Sequence, residues 1–287
     1  MRGARPFAAL EESVAEAAAP ERGEVLVAAV SGGTDSAALA ALLAACCARA
    51  GATLVLAHVN HGLRRSAWQD EAVVLALGAA LGARVAVAAL PPGTAAEERL
   101  RDERYAALAT LATASGAPRV FTGHHARDQA ETVLLALLRG TGPDGLAGMR
   151  PVRPLADGVA LVRPLLGVEP EELAAYVAAE HLPYALDPTN VDLGYRRNAL
   201  RSALAELRES FPHLDAAVAR CAAILREERA GEPRARLRSE LRAALATAGA
   251  GTRDVSFERL DAAARALERG REGRHFLRRG VELVVEG

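Results

Sequence analysis

The chain has 287 residues, 51% of them hydrophobic and 25% charged, with a formal net charge of −1. That balance belongs to a globular protein long enough to bury one large core, or a medium and a small one, without staples. Three cysteines, Cys46, Cys47 and Cys221, exclude a disulfide scaffold and offer no C-x-x-C spacing for zinc or an iron–sulfur cluster. The longest apolar run, Ala37 to Ala48, is too short for a bilayer, and no signal-peptide pattern follows Arg2 and Arg5. A cytoplasmic protein with no membrane partner is expected. All 35 basic residues are arginine, so no chemical step can use a lysine of the chain, and a Walker-type loop with its lysine is excluded.

Strand and helix signals alternate along the first two hundred residues. Glu24–Val30, Thr53–Asn60, Arg84–Leu90 and Arg119–His125 are apolar runs of strand length. Between and after them Ser36–Ala50, Ser66–Leu81, Ala95–Ser115 and Ala126–Arg139 read as helices. The fold class this implies is α/β: a Rossmann-like parallel sheet with helices on both faces and ligands bound outside the strands' carboxyl ends. Beyond Leu200, Arg201–Glu228, Glu232–Ala248 and Ser256–Arg269 read as helices, and Phe276–Glu286 as the opening of a β-hairpin. The expected division is a catalytic domain at 1–208 and a smaller, mostly helical domain at 209–287. Residues 1–200 carry 18 arginines against 22 acids, whereas residues 201–287 carry 17 against 14. The surplus in the second part permits an RNA contact without requiring one.

The strongest local feature is Val30-Ser31-Gly32-Gly33-Thr34-Asp35-Ser36, a strand that runs through paired glycines into a helix. Glycines let backbone N–H groups approach an anion, and the helix N-terminus adds its partial positive charge. Ser31 and Ser36 can donate to phosphate oxygens, and Asp35 can hold Mg²⁺ against them. A bare turn needs one glycine and one cap; six polar or glycine positions in a row point to phosphate.

Ser31–Ser36 resembles the SGGxDS loop of the ATP pyrophosphatases (PP-loop superfamily). Further motifs follow in order: His58-Val59-Asn60-His61-Gly62-Leu63-Arg64, Arg104-Tyr105, and Gly123-His124-His125 with Asp128-Gln129 and Glu131-Thr132. After these come Arg139-Gly140-Thr141-Gly142, Gly145-Leu146, Arg163-Pro164-Leu165-Leu166, Asp187-Pro188-Thr189-Asn190, and Arg197-Asn198 through Arg201. In this order and spacing the chain is similar, from about Glu24 to Arg201, to the tRNA(Ile)-lysidine synthetase family.

The resemblance implies a carbon–nitrogen ligase with ATP and Mg²⁺ as cofactors, and with L-lysine and an isoleucine tRNA bearing a CAU anticodon as substrates. ATP adenylates the C2 oxygen of the wobble cytidine and pyrophosphate leaves; the ε-amine of free lysine then displaces AMP, giving lysidine and a change of codon from AUG to AUA. It assigns ATP binding to Ser31, Gly32, Gly33, Thr34, Asp35 and Ser36, with His58, Asn60 and Gly123. It assigns metal binding to Asp35, lysine binding to Asp128 and Glu131, and catalysis to Asp35, Asp128, Arg104, Arg197 and His124. A homodimer is left open. Longer members carry one more C-terminal domain, so a short form that discriminates against methionine tRNA through fewer contacts is expected.

The residue types suit that chemistry. Asp128 and Glu131 are three apart on one helix, hence on one face, and suit a cationic amine. The family pattern commonly has two consecutive acids there, whereas this chain has Arg127 before Asp128. Adjacent His124 and His125 point in opposite directions, and His124 is expected in the site. Arg104 suits a phosphate of ATP or RNA because its planar fork matches two oxygens. The glycine-rich loop from Arg139 suits closure over a flipped base. Two rivals stand beside this reading. A tRNA thiolase relative would need active-site cysteines, and a non-catalytic nucleotide-binding module would not need the Asp128/Glu131 pair.

Overall fold

The computed structural model describes residues 6–60, 67–90, 97–185, 195–247, 255–270, 272–278 and 281–285. The chain divides into two compact units, Met1–Arg220 and Cys221–Gly287, against a boundary expected near residue 208.

In chain order the first unit contains α1 (Ala8–Ala18), β1 (Val25–Ala29), α2 (Thr34–Ala50), β2 (Thr53–Asn60), α3 (Ala67–Leu81), β3 (Arg84–Ala89), α4 (Glu97–Ala114), β4 (Arg119–Thr122) and α5 (Ala126–Leu138). The one-turn α6 (Pro143–Leu146), β5 (Val152–Ala156), β6 (Val159–Val162), α7 (Pro170–Ala179) and α8 (Tyr195–Ser210) follow, and α9 (Leu214–Ala230) spans the division. The strands form one six-stranded sheet in the order β3-β2-β1-β4-β6-β5. All neighbours run parallel except β5, which is antiparallel to β6.

Strand order reverses between β1 and β4: from β1 the chain builds outward through β2 and β3, then crosses back. A ligand crevice opens at such a switch point, outside the carboxyl ends of the two strands. The expected phosphate loop follows β1, and the paired histidines follow β4.

The core explains why α2 shows almost no amphipathic stripe. It is buried from Ser36 to Leu43 and again at Cys46 and Cys47. Sheet residues such as Leu26 and Leu56 pack with it on one side, and Leu10, Val14, Leu173 and Val177 of α1 and α7 belong to the same cluster. Alanine and leucine supply both the helix propensity and the close approach. Gly51 stops the helix in the left-handed region at φ 70°, its N–H donating to the Cys47 carbonyl. Burial pushes the Cys47 thiol up to about 11, so these cysteines are packing residues. A second cluster covers the other face, where Tyr105, Leu108 and Ala112 of α4 meet Val27, Val55, Val59 and Val120.

Two regions depart from the sequence-based expectation in ways that shape the sheet and the domain boundary. The β5–β6 hairpin, absent from it, turns through Asp157-Gly158 with Gly158 at φ 67°, an ordinary hairpin dipeptide; Pro154 is tolerated because β5 is an edge strand. The expected helix Arg201–Glu228 is two helices, α8 and α9, broken at Phe211-Pro212-His213, since proline cannot continue the hydrogen-bond ladder. The parallel sheet therefore has one antiparallel margin.

The second unit holds α10 (Pro233–Thr247), α11 (Phe257–Glu268), β7 (Gly273–Arg278) and β8 (Val281–Val285). The last two strands pair as the antiparallel hairpin expected at the chain's end. Leu241, Leu245, Leu260, Ala263, Ala264 and Leu277 form its small core, and Ser256 caps α11 by accepting from the Arg259 N–H. Among the described residues no helix is long and apolar enough to cross a membrane.

Candidate active site

The loop after β1 is held by its own serines. The Ser36 hydroxyl donates to the Gly33 carbonyl at 2.9 Å and accepts from the Ser31 N–H at 3.2 Å. The two serine hydroxyls lie 3.3 Å apart. Gly32 sits at φ 99°, a conformation that favours glycine, and its carbonyl accepts from the Ala185 N–H at 2.8 Å. No side chain caps α2 at Gly33, so the first-turn N–H groups of a buried helix are left for an acceptor from outside.

The end of β4 packs directly on this turn. A Cβ on Gly123 would lie 3.1 Å from the Asp35 carbonyl oxygen and 3.3 Å from the Ser36 nitrogen. Gly123 is therefore a close-approach residue that sets the width of the crevice. His58, nearly fully buried, sits beneath the loop; its Nδ1–H donates to the Val30 carbonyl at 2.9 Å. It fixes the residue from which the loop springs. Asn60 ends β2 at the same margin.

His125 reaches across the crevice. Its Nε2 lies 3.5 Å from Asp35 Oδ2 and 3.6 Å from Asp128 Oδ2. Asp128 also accepts from the His125 N–H at 3.2 Å, anchoring the start of α5. Burial works to lower this imidazole, but Asp35 and Asp128 outweigh it and raise His125 above its ordinary value. The histidine that faces both carboxylates is thus His125. His124, the one expected there, turns the other way: its Nδ1 pairs with Thr122 Oγ1 at 2.9 Å. Burial first, then Arg163, Arg104 and Arg101, hold it well below its ordinary value, so it is neutral at pH 7.

The structure does not bring Asp128 and Glu131 into one open pocket. Asp128 is 30% exposed, whereas the Glu131 side chain is 1% exposed and committed to Arg201, whose Nε–H and Nη2–H donate at 2.7 and 3.0 Å. Same-face spacing on α5 is real, but α8 covers the second position. Arg127 points away from both: it pairs with Glu171 of α7 and, at 3.3 Å, with Asp215 of α9, which Arg208 also holds at 2.7 and 3.0 Å. Arg127 thus belongs to a clamp that joins α5 to α7 and α9.

Arg104 is half-buried beside Tyr105. The side chain of Arg197 lies outside the described residues, as do residues 61–65 and 187–190. Residues 139–144 are exposed, and Gln129 anchors the segment beyond them through the Met149 N–H at 2.8 Å and carbonyl at 3.1 Å.

Among the described residues no group of three or more His, Cys, Asp or Glu side chains is arranged to hold a metal ion. Mg²⁺ needs only one or two carboxylates when phosphates complete its shell, and Asp35, 40% exposed at the first turn of α2, fits that need.

A glycine–serine loop feeding an uncapped helix N-terminus, at the switch point of a mostly parallel sheet, defines a nucleotide-binding α/β domain of the phosphate-loop type. The chain belongs to the PP-loop family, whose model, described as a PP-loop domain, matches residues 7–208. It is 45% identical over 205 residues to a tRNA(Ile)-lysidine synthase of Ralstonia nicotianae, covering 69% of this chain and 44% of the relative. Similarity to a tRNA(Ile)-lysidine synthase of Symbiobacterium thermophilum is 42% over 219 residues, covering 72% and 45%. The chain thus spans about half the length of these curated relatives. In fold it is similar to a U34-tRNA thiolase from Methanococcus maripaludis, with a TM-score of 0.62 and 16% identity, covering 74% of this chain and 76% of that one.

Proposed function

We propose that the protein is an ATP-dependent carbon–nitrogen ligase that joins free L-lysine to C2 of the wobble cytidine of a CAU-anticodon isoleucine tRNA. The observation that carries this reading is His125 held between Asp35, at the mouth of the phosphate loop, and the half-open carboxylate of Asp128. One carboxylate stands with the nucleotide and the other faces the crevice, where a cationic amine needs a partner. The curated names of the relatives agree with it.

In the first step the cytidine C2 oxygen attacks the α-phosphorus of ATP and pyrophosphate departs. The first-turn N–H groups of α2 and the hydroxyls of Ser31 and Ser36 donate to the leaving phosphates, where negative charge grows. Asp35 would hold Mg²⁺, which when bound neutralises phosphate oxygens. In the second step the lysine ε-ammonium gives up a proton to solvent, the free amine attacks C2, the C2–O bond breaks, AMP leaves, and the nitrogen releases its second proton to solvent. Asp128 binds the ε-ammonium and orients it; Glu131 acts through Arg201 to hold α8 against α5. His58 and Gly123 set the loop's position, Arg104 binds phosphate, and Arg197 lies on the helix beyond the motif 187–190. The segment 209–287 adds tRNA contacts, and the cytoplasm is the compartment in which these substrates meet.

The test is ATP-dependent incorporation of labelled lysine into a CAU-anticodon isoleucine tRNA transcript. Controls are a methionine tRNA and an Asp35→Ala protein. Label retained on the isoleucine tRNA alone, and lost in the variant, is the expected result. ATP binding without incorporation would leave a nucleotide-binding module in its place.

A further inference from the structure

Four guanidinium groups crowd one aromatic ring on α4. The guanidinium carbons of Arg153, Arg104 and Arg101 lie 4.7, 5.4 and 5.5 Å from the centroid of Tyr105. Arg163, directly after β6 and 3% exposed, is the fourth. Among the described residues none of the four pairs with a carboxylate. Arg163 Nη1–H donates to the Arg150 carbonyl at 2.8 Å and Arg153 Nη1–H to the Pro154 carbonyl at 2.9 Å. The Arg163 Nε–H is buried with no hydrogen-bond partner.

Like charges gathered around a buried guanidinium repel, and an unpaired buried cation is costly to hold. Burial, with Arg153 and Arg101 adding to it, lowers Arg163 from its ordinary value even though Tyr105 opposes them. Burial first, then Arg163, Arg104 and Arg101, also hold His124 below its ordinary value. The natural partner of such a group is an anion with several acceptor oxygens, and the guanidinium fork matches phosphate.

We propose that the Arg101, Arg104, Arg153 and Arg163 ring around Tyr105 is a second phosphate site that grips a backbone phosphodiester of the RNA substrate, with Arg101 and Arg153 as ligands outside the motifs that mark the family. The inference rests on the RNA-directed reading above. Two features favour an RNA phosphate over one from ATP. The nucleotide's phosphates already have the loop after β1, which leads into α2 on one face of the sheet, whereas the ring stands around Tyr105 of α4, which packs on the other face. Arg153 comes from β5, the margin of the sheet and three strands from β1, which suits a chain of phosphates running over the edge. Arg101, Arg104 and Arg153 are half-exposed and present donors there, above buried Tyr105 and Arg163.

The experiment measures the affinity of the full chain for the CAU-anticodon tRNA across a salt series, and separately for ATP without RNA. Arg101→Gln and Arg153→Gln are each expected to weaken tRNA binding several-fold and to reduce the slope of log K against log salt by about 1. ATP affinity should stay unchanged. Arg153→Lys, which keeps the charge, should retain the slope, separating charge from folding. Loss of ATP affinity with an unchanged tRNA slope would hand the ring to the nucleotide and overturn the proposal. So would variants identical to the parent in both assays. A parent protein with no salt-dependent tRNA binding would instead overturn the RNA reading itself, and this inference with it.

Discussion

Arg163 and Arg238 are both buried guanidinium groups beside an aromatic ring, yet their surroundings are opposite. Arg238, fully buried in the second unit, lies 5.1 Å over Phe257 and 2.7 Å from both Glu227 and Asp261, with Arg265 closing on Asp261 from outside. Its charge is cancelled on the spot, and it ties three segments of that unit together. Arg163 is ringed by cations and, among the described residues, meets no carboxylate; its partners are the Arg150 carbonyl and Tyr105. A buried cation with its carboxylates in place is a structural staple. One assembled with cations alone is complete only when an anion arrives.

The contrast is sharpest in what substitution does. Arg238→Ala takes the buried cation from Glu227 and leaves Asp261 with Arg265 alone, and should cost about 3 kcal/mol in the denaturant transition that reports the second unit; a cost below about 1 kcal/mol would break the comparison. Arg104→Gln should leave stability within about 0.5 kcal/mol while weakening tRNA binding several-fold and reducing the slope of log K against log salt by about 1, the scale of losing one phosphate contact.

The same division separates Glu131 from Asp128. Glu131→Gln strands Arg201 against a neutral partner and should cost about 2 kcal/mol of stability, read by thermal unfolding. Asp128→Asn should leave stability nearly intact and raise the KM for lysine about tenfold, one hydrogen-bonded charge at a substrate cation. Arg127→Ala should have the smallest effect, below about 1 kcal/mol, because Arg208 still holds Asp215 and Arg127 is partly screened by solvent.

Much of this was legible before the fold was known. β1, β2 and β4 stand in the sequence because parallel strands buried on both faces read as unbroken apolar runs, and β3 because its run of valine and alanine has strand length. The phosphate loop is legible because its residues are local to one turn. The β5–β6 hairpin was not, since its strands are short, one contains proline, and the Asp157-Gly158 signal is only two residues long. Pairing across the fold was hidden for a different reason. Nothing in the spacing of Asp128 and Glu131 says that Arg201, seventy residues on, claims the second of them. Nor does sequence say which of two adjacent histidines faces the carboxylates, because that depends on where β4 ends. The arginine ring was invisible because its members come from α4, β5 and the end of β6, and meet only when the sheet places those segments side by side.

The central claim is that the phosphate loop activates an RNA base by adenylation before any amine reacts. The most direct measurement is pyrophosphate release from ATP in the absence of lysine, with and without the CAU-anticodon isoleucine tRNA. Release that requires the tRNA, does not require lysine, and disappears in Asp35→Ala is the expected result. Release at the same rate without tRNA, or none from a protein that binds both ATP and the tRNA, would contradict it.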